Sequence, residues 1–313
     1  MNTIFIILAI LVALYFLVTF LIFFAAFYGW KVPGRVDPEF DLPKGKIYEP
    51  YYPAMRQWAR EARTLPKQDM WITSHDGLKL HATYYEFEPG APIELMFHGY
   101  RGTAERDLCG GVRRCFSLGR SAFIVDQRTS GQSEGKVITF GIHESRDLHR
   151  WVDFMVEHFG PDVKIILTGI SMGASTVMIA AGQDLPPQVI GALADCGYTS
   201  AKEIIKKVMR QIHLPADLLY PVVRLSARMY GRFDPEEFSP VESMAHCKVP
   251  IIFAHGEDDD FVPCSMSVEN HRVCTARKAL ITTPGAGHGL CYPADEESYL
   301  SALRQFSYES SND

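Results

Sequence analysis

The sequence has no charged residue between Met1 and Trp30, and 26 of these 30 positions are hydrophobic. As one helix, the stretch from Thr3 to Tyr28 would be about 39 Å long, more than the roughly 30 Å hydrocarbon core of a bilayer. A cleaved signal peptide would need a basic start, a shorter apolar core and a cleavage site of small residues. The sequence lacks all three features, so it predicts a retained transmembrane anchor over residues 1–30.

Basic residues are absent before the predicted anchor, whereas Lys31 and Arg35 follow it directly. By the positive-inside rule, this asymmetry places the rest of the chain in the cytoplasm. The seven cysteines form no CxxC or CxxH pair, and their odd number argues against a disulfide framework. Both observations indicate a single-pass membrane protein whose body lies in the cytoplasm.

The chain after the anchor lacks the features of several functional classes. The net charge of the whole 313-residue chain is -6, without the basic excess that nucleic-acid binding requires. The sequence contains no HExxH motif, no close set of Cys and His ligands and no GxxxxGK[ST] phosphate loop. We therefore expect no nucleic-acid partner, no metal ion and no other cofactor.

Two segments of different composition follow the predicted anchor. Residues 31–66 are rich in proline and aromatics, which predicts a tether with a short helix near 54–63. Residues 67–313 alternate between strand and helix patterns, and an Asp-Gly turn at 76–77 opens them with a hairpin. The predicted strands are 70–74, 78–87, 93–97, 122–125, 163–167, 189–194, 249–254 and 279–282, and the predicted helices are 143–159, 174–181, 265–276 and 294–307.

This alternation predicts an α/β fold with a mostly parallel sheet and an N-terminal antiparallel hairpin. In such sheets the ligand site lies at the carboxyl ends of the strands. The segment from about 200 to 245 breaks the alternation with amphipathic helical stretches that are interrupted by Pro215, Pro221 and Pro235. We interpret it as a small helical lid that projects over the strand ends.

A G-x-S-x-G motif places Ser171 directly after a predicted strand and directly before a predicted helix. This is the context of a nucleophile elbow, in which a sharp turn exposes the serine hydroxyl and flanking glycines relieve crowding. A second G-x-S-x-G surrounds Ser133, but no helix pattern follows it. We therefore predict Ser171 as the nucleophile and interpret Ser133 as a loop serine.

A serine nucleophile needs a base, and the base needs a carboxylate that holds it in the right tautomer. His288 lies in a Gly-rich loop after the last predicted strand, whereas His271 lies within a predicted helix and is interpreted as a packing residue. The acid is expected after the strand 249–254, where the sequence reads Glu257-Asp258-Asp259-Asp260. The aspartate run also fits a solvated loop or a casual cation site, and spacing alone does not choose among its members.

An acyl-transfer intermediate carries a negative oxygen that two backbone N–H groups must stabilise. The N–H of Met172 follows the nucleophile, and the N–H of Tyr100 lies in the loop after the strand 93–97. His98 precedes this loop and is interpreted as a residue that braces it by hydrogen bonds.

Five motifs occur in one order that resembles the α/β-hydrolase superfamily, between about residues 70 and 306. They are His98-Gly99-Tyr100, Asp126-Gln127-Arg128 with Gly131-Gln132-Ser133, the Ser171 elbow, His255-Gly256 to Val262-Pro263, and Gly287-His288. Within the superfamily, the chain looks like the membrane-anchored bacterial serine hydrolases of the serine aminopeptidase and BEM46-like groups. Their H-G-x-x-D-x-x-V-P pattern implies that Asp259 is the triad acid. Some hydrolases of this fold carry the acid one strand earlier, at Asp195 in this chain.

The resemblance implies a serine hydrolase that cleaves carboxylic esters or amides through an acyl-serine intermediate. A peptidase or an acyltransferase on the same triad is an alternative, and a catalytically silent binding module with this fold is another. The apolar faces of the lid are compatible with lipophilic esters, which a membrane anchor would bring within reach.

Overall fold

The computed structural model describes residues 2–30, 37 and 39–306. Its centre is an eight-stranded sheet with the strand order β1-β2-β4-β3-β5-β6-β7-β8. The strands β1 to β8 span Gln68–Thr73, Lys79–Tyr85, Ile93–Phe97, Ser121–Asp126, Ile165–Ile170, Val189–Asp195, Ile251–Gly256 and Lys278–Thr283. The β1–β2 and β2–β4 pairs are antiparallel and all other pairs are parallel, which confirms the predicted fold class.

Helices cover both faces of the sheet and follow the strands in alternation. Helices α1 to α11 span Asn2–Ala26, Tyr52–Thr64, Ala104–Ser117, Ile142–Phe159, Met172–Ala181, Ala201–Gln211, Ala216–Ser226, Pro240–Met244, Cys264–Val273, Cys291–Ala294 and Glu296–Gln305. The central strands read as continuous apolar runs because both of their faces are buried. The apolar stripe on α4 packs against one face, with Leu148, Trp151, Val152 and Met155 fully buried.

Helix α3 is an element that the sequence patterns did not reveal. Thr103 caps its first turn by accepting a hydrogen bond from the Arg106 N–H at 3.1 Å. Gly110 and Gly111 in its middle weaken the helix signal. They are needed because α3 packs closely: a Cβ on Gly110 would lie 2.9 Å from the Trp58 ring.

Much of the predicted Pro-rich tether packs against the body. Phe40 and Leu42 are buried, and α2 buries Met55, Trp58 and Ala59 against the sheet. Residues 31–36 and 38 lie outside the described residues, and so do the Lys31 and Arg35 on which the predicted orientation depends. The described part of this segment is therefore folded structure, and its aromatic residues belong to the core.

Helix α1 is the one helix among the described residues that is long and apolar enough to cross a membrane. Most of its side chains are exposed, but Thr19 and Phe23 are buried on one face, as is Phe27 directly after the helix. This face packs against α7 and against the π-helical turn Ala227–Gly231 that follows α7. The lid segment, residues 200–245, contains α6, α7, this π-helical turn and α8.

Candidate active site

Ser171 occupies a strained turn between β5 and α5. Its φ of 57° and ψ of −117° are unusual for a residue with a side chain. The flanking glycines permit the turn, because a Cβ on Gly169 would lie 2.2 Å from the Gly173 carbonyl carbon, and one on Gly173 would lie 2.1 Å from the Phe97 oxygen. The Ser171 N–H donates to the Asp195 carbonyl at 2.8 Å and fixes the turn to the neighbouring strand.

Ser133, in the second G-x-S-x-G, lies in a loop as predicted. Its hydroxyl accepts a hydrogen bond from the His81 N–H at 2.8 Å and donates to the Asp126 carbonyl oxygen. Both bonds hold the loop to the sheet. The two copies of the motif thus differ in backbone geometry and in the partners of their hydroxyl groups.

His288 lies in the loop after β8 and connects Ser171 to Asp259. Its Nε2 is 2.9 Å from the Ser171 Oγ, and its Nδ1 is 2.7 Å from an Asp259 carboxylate oxygen. Because a carboxylate only accepts, Nδ1 carries the proton and Nε2 accepts from the serine hydroxyl. This is the tautomer that a general base for Ser171 requires.

Asp259 is the buried member of the acidic run, whereas Glu257, Asp258 and Asp260 are exposed. Its second carboxylate oxygen accepts hydrogen bonds from the N–H groups of Phe261 and Val262 at 2.9 and 2.8 Å. Burial acts to raise the pKa of the Asp259 carboxyl, but hydrogen bonds from His255 and His288 outweigh it and hold this pKa well below its usual range. The carboxylate therefore stays ionised beside the imidazole.

His255 is a partner of Asp259 that the sequence patterns did not single out. Its Nε2 donates to the Val262 carbonyl at 2.8 Å and is also 3.2 Å from Asp259, while its Nδ1 is 2.7 Å from the Ser267 hydroxyl. The side chain is fully buried. The sequence signal for this residue was its position in the His-Gly pair at the end of β7, because the loop after β7 contains the acid.

The alternative acid, Asp195, is not hydrogen-bonded to His288 in the part of the chain that the structure describes. One of its carboxylate oxygens accepts from the Tyr299 hydroxyl at 3.0 Å, and the other has no partner among the described residues. Burial raises the pKa of this carboxyl. The geometry thus joins Asp259 rather than Asp195 to the imidazole.

The two predicted oxyanion donors flank the serine. Met172 is the first residue of α5 and Tyr100 follows β3, and neither backbone N–H bonds to any residue that the structure describes. His98 braces the Tyr100 loop as interpreted: its Nδ1 donates to the Gly99 carbonyl at 2.9 Å, and its Nε2 accepts from the Gln127 N–H at 3.1 Å. Both N–H groups are thus available to an incoming oxygen.

Asp107 on α3 also braces this loop, and sequence reasoning missed it together with its helix. It accepts from the Gly99 N–H at 2.9 Å and pairs with Arg106 at 2.7 Å. Its pKa is lowered because the Arg106 guanidinium and the hydrogen bonds outweigh burial. A fully ionised carboxylate therefore fixes the start of the loop.

A cavity of about 890 Å³ opens beside these groups. Its wall includes residues 41–48 and α2, from the segment that the sequence presented as a tether, together with Gly29 and Trp30 at the end of α1. Among its lining residues none comes from the predicted lid, residues 200–245. Residues 41–48, rather than the predicted lid, therefore form part of the wall of this cavity.

Two groups of described residues have the spacing of metal ligands. One is Cys196 with Asp259 and His288, but burial raises the pKa of the Cys196 thiol, and a protonated thiol is a poor ligand. The other is His75, Asp76 and His143, in which both Asp76 oxygens already face the Arg128 guanidinium.

No protein-family model matches the sequence. The chain is 27% identical to the uncharacterized protein YqkD of Bacillus subtilis over 190 residues, 60% of this chain and 62% of YqkD. It is 25% identical to the protein bem46 of Schizosaccharomyces pombe over 202 residues, 63% of this chain and 61% of bem46. It is 24% identical to the lysophosphatidylserine lipase ABHD12 of Danio rerio over 210 residues, 64% of this chain and 52% of that lipase. Each match spans less than two thirds of the relative.

Two solved structures have the same architecture. The esterase Pf2001 of Pyrococcus furiosus matches with a TM-score of 0.63 and 20% identity, covering 87% of this chain and 96% of the esterase. Est1E of Butyrivibrio proteoclasticus, in a structure with bound ferulic acid, matches with a TM-score of 0.59 and 19% identity, covering 76% of this chain and 97% of Est1E. These likenesses show that this chain shares the fold of both proteins.

Proposed function

The chain has the α/β-hydrolase fold that its motifs predict, and from this premise we propose that it is a serine hydrolase acting on carboxylic esters. The observation that carries the proposal is the continuous hydrogen-bonded chain from Ser171 through His288 to Asp259. Three side chains from three separate loops meet in the order and tautomer that activate a serine hydroxyl.

In the proposed acylation step, the Ser171 Oγ attacks the ester carbonyl carbon while its proton passes to His288 Nε2. The carbonyl oxygen becomes an oxyanion that accepts hydrogen bonds from the Met172 and Tyr100 N–H groups. Asp259 stabilises the imidazolium that forms. The C–O bond to the alcohol then breaks, and Nε2 returns its proton to the departing alkoxide, which leaves as the alcohol.

Deacylation repeats these steps with water as the nucleophile. His288 Nε2 takes a proton from the water, whose oxygen attacks the acyl carbon bound to Ser171. The oxyanion again accepts from the same two N–H groups. When the bond to Oγ breaks, Nε2 protonates the serine, and the carboxylic acid leaves.

We propose small-molecule esters with an apolar part as the substrate class. The cavity has the size of a ligand site, and its wall includes the apolar side chains of Ile47, Met55 and Trp58. One structure with this fold is named an esterase, another holds bound ferulic acid, and one relative is named a lysophosphatidylserine lipase. A series of p-nitrophenyl esters of increasing chain length would measure how much apolar length the cavity accepts.

We also propose that α1 is a retained membrane anchor and that the body lies on the cytoplasmic side. The length and hydropathy of α1 suit a membrane span. The residues that follow α1 also form part of the fold: the Phe27 carbonyl accepts from the Ile138 N–H at 2.8 Å, and the Gly29 N–H donates to the Lys136 carbonyl at 2.9 Å. Cleavage close to residue 31 would remove these contacts.

A fluorophosphonate probe tests the proposed nucleophile, because it reacts with activated serines. We expect the full-length protein in detergent to be labelled and Ser171→Ala to abolish the labelling and the hydrolysis of p-nitrophenyl butyrate. Ser133→Ala is the matched control, since it removes the serine of the other G-x-S-x-G motif. That variant should keep its labelling.

Labelling that survives Ser171→Ala would contradict the assignment of the nucleophile. A folded protein that neither reacts with the probe nor hydrolyses any ester would instead indicate the catalytically silent binding module. Circular dichroism of each variant establishes that a loss of labelling is not a loss of folding.

A further inference from the structure

The lid segment contacts α1 far from the end of that helix. The Tyr230 hydroxyl donates to the Phe16 carbonyl at 3.0 Å and lies 3.2 Å from the Thr19 hydroxyl. The Tyr230 ring packs against Phe20 and Phe23, with centroids 5.6 and 5.7 Å away. The contact between α1 and the body thus begins near the middle of the helix.

This contact leaves too little free helix to cross a bilayer. The 13 residues from 3 to 15 have a helical length of roughly 20 Å, whereas a hydrocarbon core is about 30 Å thick. A span of about 20 residues, counted from Ile4, ends near Phe23. The part of α1 that packs against Tyr230 therefore lies inside the hydrocarbon, and Tyr230 must lie there with it.

We propose that the lid segment is seated in the membrane beside α1, so that its π-helical turn and the adjacent end of α7 enter the hydrocarbon. This inference rests on the membrane anchor of the proposed function. The partner that covers this surface of the lid segment is a lipid bilayer. The reason is that the surface is continuous with α1, the only candidate membrane span among the described residues. The depth of the lid segment in the bilayer follows from the length of α1 that a membrane span requires, and not only from the composition of the lid segment.

The exposed side chains of the lid segment fit this environment. Ile212 and Leu218 are 62% and 74% exposed, and Leu225 and Met229 lie near Tyr230 in sequence and are also exposed. Apolar side chains at this density are costly in water and stable among acyl chains. Arg228 is exposed beside Met229 and lies 4.0 Å from the Asp234 carboxylate, and a long arginine side chain can extend its charge from such a depth toward the headgroups.

The proposed seat also brings the cavity to the membrane surface. Gly29 and Trp30, three and four residues after the end of α1, line the cavity together with Tyr100. The Tyr100 hydroxyl itself donates to the Ala26 carbonyl at 2.7 Å. An ester that resides in the bilayer would thus find Ser171 without leaving the membrane surface, which narrows the substrate class to membrane-resident esters.

Depth-dependent fluorescence quenching tests whether the lid segment lies in the membrane, with the full-length protein in phospholipid vesicles. Leu225→Cys and Met229→Cys are each labelled with a thiol-reactive fluorophore, and the vesicles contain lipids with brominated acyl chains. Asp184→Cys is the control, because its side chain is 97% exposed and it precedes β6 at the opposite end of the sheet. The labelled parent protein supplies the background from its own cysteines.

We expect brominated lipids to quench the labels at 225 and 229 at least twofold more than the label at 184. Aqueous iodide should quench the label at 184 preferentially. Labels at 225 and 229 that iodide quenches as strongly as at 184 would overturn the proposal. Labels there that neither quencher reaches would also overturn it, since a protein surface would then cover the segment.

Fluorophosphonate labelling of the same vesicles separates this proposal from the proposed function. Strong labelling of Ser171 without lipid quenching would show a serine hydrolase whose lid segment lies outside the membrane. Lipid quenching without labelling would show a membrane-seated protein that is not a serine hydrolase.

Discussion

At the scale of single residues, the candidate site depends on a carboxylate that two imidazoles contact. Asp259 accepts a hydrogen bond from His288 and lies 3.2 Å from His255, while two backbone N–H groups donate hydrogen bonds to its other carboxylate oxygen. These contacts fix the carboxylate without needing the exposed acids around it. The orientation of His288 is therefore controlled by one residue of the acidic run.

We expect Asp259→Asn to lower kcat for p-nitrophenyl butyrate by roughly 10⁴-fold. The amide can donate to Nδ1 of His288, which favours the tautomer with its proton on Nε2, and that tautomer cannot accept the Ser171 proton. Steady-state kinetics of the purified full-length protein measure the effect. Fluorophosphonate labelling should slow in parallel, because it needs the same base.

Asp258→Asn is the matched control, because Asp258 is the exposed neighbour of Asp259. Its kcat should stay within about twofold of the parent value, as surface substitutions usually have small effects. Equal losses in the two variants would indicate that the charge of the loop matters and that the assignment of the acid is wrong. Asp195→Asn tests the alternative acid in the same assay.

The sequence narrowed the acid to one loop but could not choose within it from spacing alone. Asp258, Asp259 and Asp260 are chemically identical and adjacent, so only the path of the loop decides which one turns inward. That path depends on His255 and on the backbone of Val262, which meet Asp259 through the fold. Ser171 and His288 were easier to find because glycines mark the local turns that they need.

At the scale of elements, the end of α1 is joined to the loop that carries a proposed oxyanion donor. The last carbonyl groups of a helix have no partner within the helix. Here the Tyr100 hydroxyl donates to the Ala26 carbonyl at 2.7 Å, and the Arg101 guanidinium donates to the Ala25 carbonyl at 2.7 Å. Helix α1 and the Tyr100 loop therefore hold each other in place.

We expect Tyr100→Phe to lower kcat about fivefold with little change in KM for a short soluble ester. A lost hydrogen bond of about 1 kcal/mol would loosen the loop and misplace its N–H, which acts mainly in the transition state. Tyr84→Phe is the control, because the Tyr84 hydroxyl bonds to Ser121 at the opposite end of the sheet. A similar loss of kcat in both variants would contradict a positioning role for Tyr100.

The strands were predictable as elements because burial on both faces leaves a continuous apolar run. Helix α3 was not, since Gly110 and Gly111 satisfy a contact with α2 and the sheet that no local pattern records. Residues 41–48 look like a linker by composition, yet they wall the cavity. Their position at the cavity depends on distant partners, which composition does not record.

At the scale of the whole molecule, the two halves of α1 differ in burial. Its first half is exposed along its length, as a helix among lipids would be, whereas Phe23 and Phe27 are buried in the body. The Phe27 ring packs against Phe140 and Phe233 with centroids 5.7 and 5.3 Å away. Removing residues 1–30 would take Phe23 and Phe27 out of this aromatic cluster and expose its other rings to water.

We therefore expect the protein purified from membranes to retain its N-terminal helix, with an intact mass near 35.2 kDa. Mass spectrometry of the detergent-extracted protein, together with N-terminal sequencing, measures this directly. A signal peptidase would instead yield a chain that begins close to residue 31 and no longer contains Phe23 and Phe27. Finding that shorter chain, folded and reactive with fluorophosphonate, would contradict both the anchor and its role in holding Tyr100, since the Ala26 carbonyl would be gone.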